Sequence, residues 1–184
     1  MRKTVVKFGL LAGGIIGALS AVMLPLCMSG AIHFDKSEIL GYTAMVLAFL
    51  MVFFGIRSYR EEQGGGSLTF GKGFQVGILI TLVCCAVYVV AWEITYYGFL
   101  PDFGEKYSAH MIEQLKAKGA TPEKLAAETQ RMARFKELYK NPFFNVGMTF
   151  LEIFPVGLIV TLVSAGILRR KPLPGGPARA ASVA

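Results

Sequence analysis

Four stretches of this chain are apolar almost without interruption, at 8–28, 39–56, 73–99 and 143–168. Between them the polar residues are crowded into short connections and one long charged segment. At about 1.5 Å of rise per residue, each stretch is long enough as a helix to approach or cross a hydrocarbon layer of about 30 Å. The pattern therefore predicts four membrane spans. From Phe103 to Lys140 the period changes: Phe103, Tyr107, Met111 and Leu115 recur at four-residue spacing among charged residues, which predicts an amphipathic helix. After Gly119-Ala120-Thr121-Pro122, a second such helix is expected, with Thr121 as its cap and Pro122 in its first turn, carrying Leu125, Met132, Phe135, Leu138 and Tyr139 as apolar contacts. The expected fold is an all-α membrane protein, a four-transmembrane-helix bundle with a helical hairpin at 103–140 between spans three and four. A single membrane domain covers 1–171, and the Pro- and Gly-rich tail at 172–184 is too poor in apolar residues to fold alone.

Composition agrees with that class. Hydrophobic residues make up 54% of the 184 residues and the mean hydropathy is +0.53. The basic residues behind the net charge of +7 are not gathered on one soluble face but mostly flank the apolar runs or lie in the long segment at 103–140, so lipid headgroups rather than nucleic acid are the expected counter-charge. Arg2, Lys3 and Lys7, then Arg57, Arg60 and Lys72, then Arg169, Arg170, Lys171 and Arg179 fall on one side of a four-span arrangement. The opposite side carries nearly as many, Lys36 and eight basic residues spread among acids at 103–140, but the clusters tight against the membrane ends favour both termini in the cytoplasm and the hairpin outside by the positive-inside rule. The first run continues past Leu24-Pro25-Leu26 without a small-residue cleavage site, so it is read as a retained span rather than a signal peptide. Cys27, Cys84 and Cys85 fall in predicted spans and define no disulfide or metal framework.

Candidate chemistry is sparse. Gly66, Gly71 and Lys72 match part of a phosphate-binding loop, but Gly73 stands where a magnesium-binding hydroxyl belongs and the following helix enters the membrane, so no nucleotide site is expected. His110 and Glu113 share a helix face, yet one such pair is a poor metal site. No nucleophile or ligand set accompanies the two histidines, His33 and His110; the chain is expected to be no enzyme and to need no cofactor or metal. Gly9, Gly13 and Gly17 recur every four residues and form a face for close helix packing, within the chain or against a second copy. Two acids remain. Glu93, ringed by Trp92, Tyr96 and Tyr97, and Glu152, three residues before Pro155, lie inside apolar runs. From the positively charged ends, Lys72 to Glu93 is about 31 Å of helix and Arg169 back to Glu152 about 25 Å, so the two carboxylates stand at similar depth. If they meet, they form a proton- or cation-coupling pair; if not, each is explained by snorkelling or by hydrogen bonds between helices.

Several features together resemble a known bacterial family. They are the glycine-rich first span, Arg57-Ser58-Tyr59-Arg60, the turn from Gly65 to Phe74, Pro101-Asp102-Phe103, and Leu151-Glu152-Ile153-Phe154-Pro155 before a basic end. The chain is similar to the domain of unknown function 4199 family, found mostly in Bacteroidetes. The resemblance implies a small four-span inner-membrane protein and brings no catalytic residues with it. The function expected from the sequence is a non-enzymatic scaffold or accessory subunit, binding a protein partner or a second copy through the first span or the outer hairpin; the alternative is a small proton- or cation-linked transporter using Glu93 and Glu152.

Overall fold

The computed structural model describes residues 1–28, 34–100 and 102–170; of residues 25, 27, 28 and 34–38 only the backbone is described. Among the described residues, six helices follow one another: α1 (Arg2–Met28), α2 (Phe34–Glu62), α3 (Phe70–Phe99), α4 (Phe103–Ala117), α5 (Pro122–Tyr139) and α6 (Pro142–Leu168). Helices α1, α2, α3 and α6 are long and apolar enough to cross a membrane. The expected tail at 172–184, the loop histidine His33 and the side chain of Cys27 lie outside the described residues.

Two helices outrun their apolar stretches for identifiable reasons. Helix α1 begins at Arg2 because Thr4 and Val5 are already buried against the bundle, and the long basic side chains of that turn can reach water. Helix α2 runs on to Glu62, its last turn reinforced by Arg57 Nε donating to Glu61 at 2.9 Å and Ser58 Oγ donating to Glu62 at 2.8 Å. Thr69, Thr121 and Asn141 cap α3, α5 and α6 by accepting from backbone N–H groups of the first turn, and Pro122 and Pro142 open the last two helices.

Helices α2 and α3 touch along the middle of the bundle, with α1 packed on both from one side and α6 on both from the other. Glycine sets the spacing. A Cβ at Gly77 of α3 would stand 2.8 Å from Ile56 and Thr161, and one at Gly157 of α6 would stand 2.5 Å from Thr81. Beside this approach the Thr81 and Thr161 hydroxyls lie 2.9 Å apart, a polar link between α3 and α6 shielded from lipid. Phe49, Val52, Ile56, Val76 and Ile80 fill the interior around it.

One end of the bundle is closed by its own chain. The Met1 nitrogen donates to Gln63 Oε1, and Gln63 Nε2 donates to Thr4 Oγ1 at 2.9 Å. Leu68 and Arg170 exchange two backbone hydrogen bonds, at 2.9 and 2.8 Å, tying the end of α6 to the α2–α3 turn. That turn needs glycine at Gly65 and Gly66, whose φ values are +57° and +82°. Gly66→Ala is expected to destabilise the protein by about 1–2 kcal/mol, the cost of a Cβ in the left-handed region, read as a lowered thermal midpoint in detergent.

Candidate cavity at the hairpin end

Towards the opposite end, the four long helices part around a partly open cavity of about 610 Å³ bordered by the α4–α5 hairpin. Its floor follows from the packing below: Ile16, Met45 and Tyr88, at the limit of the close-packed interior, also line the cavity. Helix α3 contributes Tyr88, Trp92 and Tyr96, a stripe at four-residue spacing that keeps three aromatic rings on one face. Ser20 comes from α1, Tyr42 from α2, and Met148, Leu151 and Glu152 from α6. The hairpin supplies Phe103, Tyr107, His110 and Met111 from α4 and Phe135, Lys136 and Tyr139 from α5.

The aromatic side chains fix one another across four helices. Trp92 meets Phe103 edge-on at 5.4 Å and stacks with Tyr96 at 6.1 Å, and Tyr96 meets Tyr139 edge-on at 5.4 Å. Tyr139 in turn meets Phe144 at the start of α6. The Trp92 indole donates to Asn145 Oδ1 at 3.0 Å, and the same oxygen accepts from Thr149 at 3.2 Å. Asn145 is fully buried and its Nδ2 has no partner.

Charge is distributed unevenly in this space. Lys136 donates to Glu105 at 2.6 Å, and this hydrogen bond holds the Glu105 carboxyl below the usual carboxylate range, so the lysine's charge is matched by a neighbour. His110 and Gln114 are 3.2 Å apart. Glu152 lines the cavity with an accessible side chain and has no ion-pair partner among the described residues. The Tyr88 hydroxyl stands beside Ser20 and near Glu152; the Tyr139 hydroxyl stands beside Thr149 and Trp92 and also near Glu152. Burial pushes the Tyr139 phenol up to about 12, so it remains a hydrogen-bond donor at physiological pH. Three residues after Glu152, Pro155 lacks the N–H that would bond the Leu151 carbonyl, leaving the backbone beside the acid with one hydrogen bond fewer.

The family model described as Protein of unknown function (DUF4199) matches residues 7–170. The chain belongs to that family. No curated protein and no solved structure matches it significantly. This DUF4199 member is an integral membrane protein, a helical bundle whose four long helices meet the lipid bilayer.

The structure distributes the sequence-predicted residues unequally. Glu152 lines the cavity and Glu93 does not: it sits one residue round α3 from Trp92, half-buried, with its Oε1 shielded and without a hydrogen-bond partner. Gly9, Gly13 and Gly17 all face α3, where a Cβ would meet Val83, Val87 and Ala91 at 2.6, 2.6 and 2.9 Å. His110 lines the cavity from α4 while Glu113 does not and stays exposed. Ser20 and Tyr88 carried no functional signal in the sequence beyond the spacing of Tyr88, Trp92 and Tyr96, which also suits an interfacial belt.

Proposed function

We propose that this protein is a small, non-enzymatic, proton- or cation-linked transporter of the bacterial inner membrane, with Glu152 as its coupling group. Glu152 carries the proposal: it is an accessible carboxylate with no ion-pair partner among the described residues, inside a cavity large enough for a small organic molecule. Ionisable groups in spans that face an internal cavity mark solute or proton paths more often than packing surfaces. Pro155, within one turn, favours a backbone that can adjust as the site loads and empties. In this reading both termini are cytoplasmic and the hairpin lies outside, a direction supported by the clusters Arg2, Lys3 and Lys7, Arg57, Arg60 and Lys72, and Arg169 and Arg170 at the ends of the apolar helices away from the hairpin.

The scaffold or accessory-subunit function expected from the sequence rests on two surfaces. The first-span glycine face is taken up within the chain by α3, which leaves the exposed side of the hairpin for a partner. Reconstitution separates the two functions. Proteoliposomes holding an internal pH dye and a proton gradient are expected to release protons when benzyltrimethylammonium is added outside. Behaviour indistinguishable from empty vesicles, together with a stoichiometric partner on purification in mild detergent, would establish the accessory role instead.

A further inference from the structure

The lining of the cavity also selects a class of ligand, on the condition that the cavity is the solute site proposed above. We propose that it binds an organic cation with an apolar or aromatic body, held by the Glu152 carboxylate and the rings of Tyr88, Trp92, Tyr96 and Tyr139.

An anion meets the wrong charge at Glu152, since the Lys136 ammonium is committed to Glu105, the His110 ring is engaged with Gln114, and Glu152 has no ion-pair partner among the described residues. A hard divalent cation meets too few charged ligands. Hard divalent ions want several oxygens, and among the described residues no three His, Cys, Asp or Glu side chains converge. A neutral apolar molecule leaves a carboxylate desolvated without compensation. An ammonium or phosphonium group with hydrocarbon substituents avoids all three mismatches: its charge faces Glu152, its substituents displace water from Ile16, Met45 and Met148, and electron-rich ring faces stabilise a poorly hydrated cation. The cage also stands ready before any ligand arrives. Trp92 is held by Asn145, and Tyr96 lies in ring contact with both Trp92 and Tyr139, so little side-chain freedom remains to be lost on binding.

Trp92 is the chain's single tryptophan and reports on the site directly. The purified protein in phosphatidylcholine nanodiscs would be titrated with tetraphenylphosphonium and, separately, with tetraphenylborate, an anion of nearly the same size and shape. A saturable change in Trp92 fluorescence is expected with the phosphonium and not with the borate. Glu152→Gln, which keeps size and removes charge, is expected to weaken phosphonium binding about tenfold or more, and Tyr96→Leu, which removes one ring and no charge, about threefold or more. Saturable binding of both ions with equal affinity, or phosphonium affinity unchanged in Glu152→Gln, would overturn the cation assignment while leaving the cavity a ligand site. Saturable binding of neither ion would overturn the assignment and also count against the solute site beneath it. Should Glu152→Gln fail to yield folded protein, the comparison of the two ions on the native chain and on Tyr96→Leu decides the same question.

Discussion

Gly13→Val is expected to leave almost no folded protein in detergent, whereas Gly14→Ala, one residue away, is expected to purify normally. The contrast lies in what each position faces. A Cβ at Gly13 would stand 2.6 Å from the Cβ of Val87 and 2.9 Å from the carbonyl oxygen of Cys84, and the second contact is with backbone that cannot turn aside. One at Gly14 meets nothing within 4 Å. Even Gly13→Ala forces α1 away from α3, and overpacking of that kind costs about 1–3 kcal/mol. Valine adds two methyl groups at the same contact and separates the helices along the neighbouring turns, where Gly9 and Gly17 depend on the same close approach. Size-exclusion profiles and thermal unfolding of the native chain and the three variants in one detergent give the test. A Gly13→Val protein with native midpoint would mean that α1 does not pack on α3 through this face.

The same residues show how far a sequence of this kind can be read. The four-residue spacing of Gly9, Gly13 and Gly17 distinguishes the packing glycines from Gly14, because the helical period puts Gly14 about 100° away. It does not name the opposite surface: small residues let any helix approach, and Val83, Val87 and Ala91 look no different from lipid-facing residues until α3 is seen against α1. The four spans were legible for a stronger reason, since the length of an apolar run is set by the bilayer itself. The Thr121 cap and Pro122 at the start of α5 were legible too, because capping is a local interaction.

Depth in the membrane could be counted along the helices, but rotation could not. Rise per residue put Glu93 and Glu152 at similar heights. Whether they meet depends on the direction each helix turns towards its neighbours, and that is fixed by contacts distant in sequence: Gly77 against Thr161, Thr81 against Gly157, and Trp92 against Asn145. These contacts turn Tyr88, Trp92 and Tyr96 into the cavity and leave Glu93 one residue further round the helix. The cavity itself had no signature in the chain, being the space left where the four helices part beneath the hairpin. Its lining draws residues from six helices, each of which has an ordinary packing or interfacial explanation when taken alone.

That difference in rotation gives the two carboxylates different expected phenotypes. In proteoliposomes, Glu152→Gln is expected to abolish proton release driven by benzyltrimethylammonium, and Glu93→Gln to keep most of it. A coupling group must exchange its proton for the cation at the same place, so it has to be reached by solute and able to change charge. Glu152 meets the first condition in the cavity, and glutamine removes the second with almost no change in shape. Glu93 does not line the cavity, and one of its oxygens is shielded with nothing to bond, so an amide of the same size changes a packing detail on α3 rather than the solute path. Glu152→Asp supplies the intermediate case: it keeps the charge but withdraws it by one methylene, and is expected to retain flux at a reduced rate. Equal loss in Glu93→Gln and Glu152→Gln, with both proteins folded, would return the two acids to a shared site and require a different conformation in which α3 turns Glu93 inward. Full flux in Glu152→Gln would remove the carboxylate from the mechanism altogether.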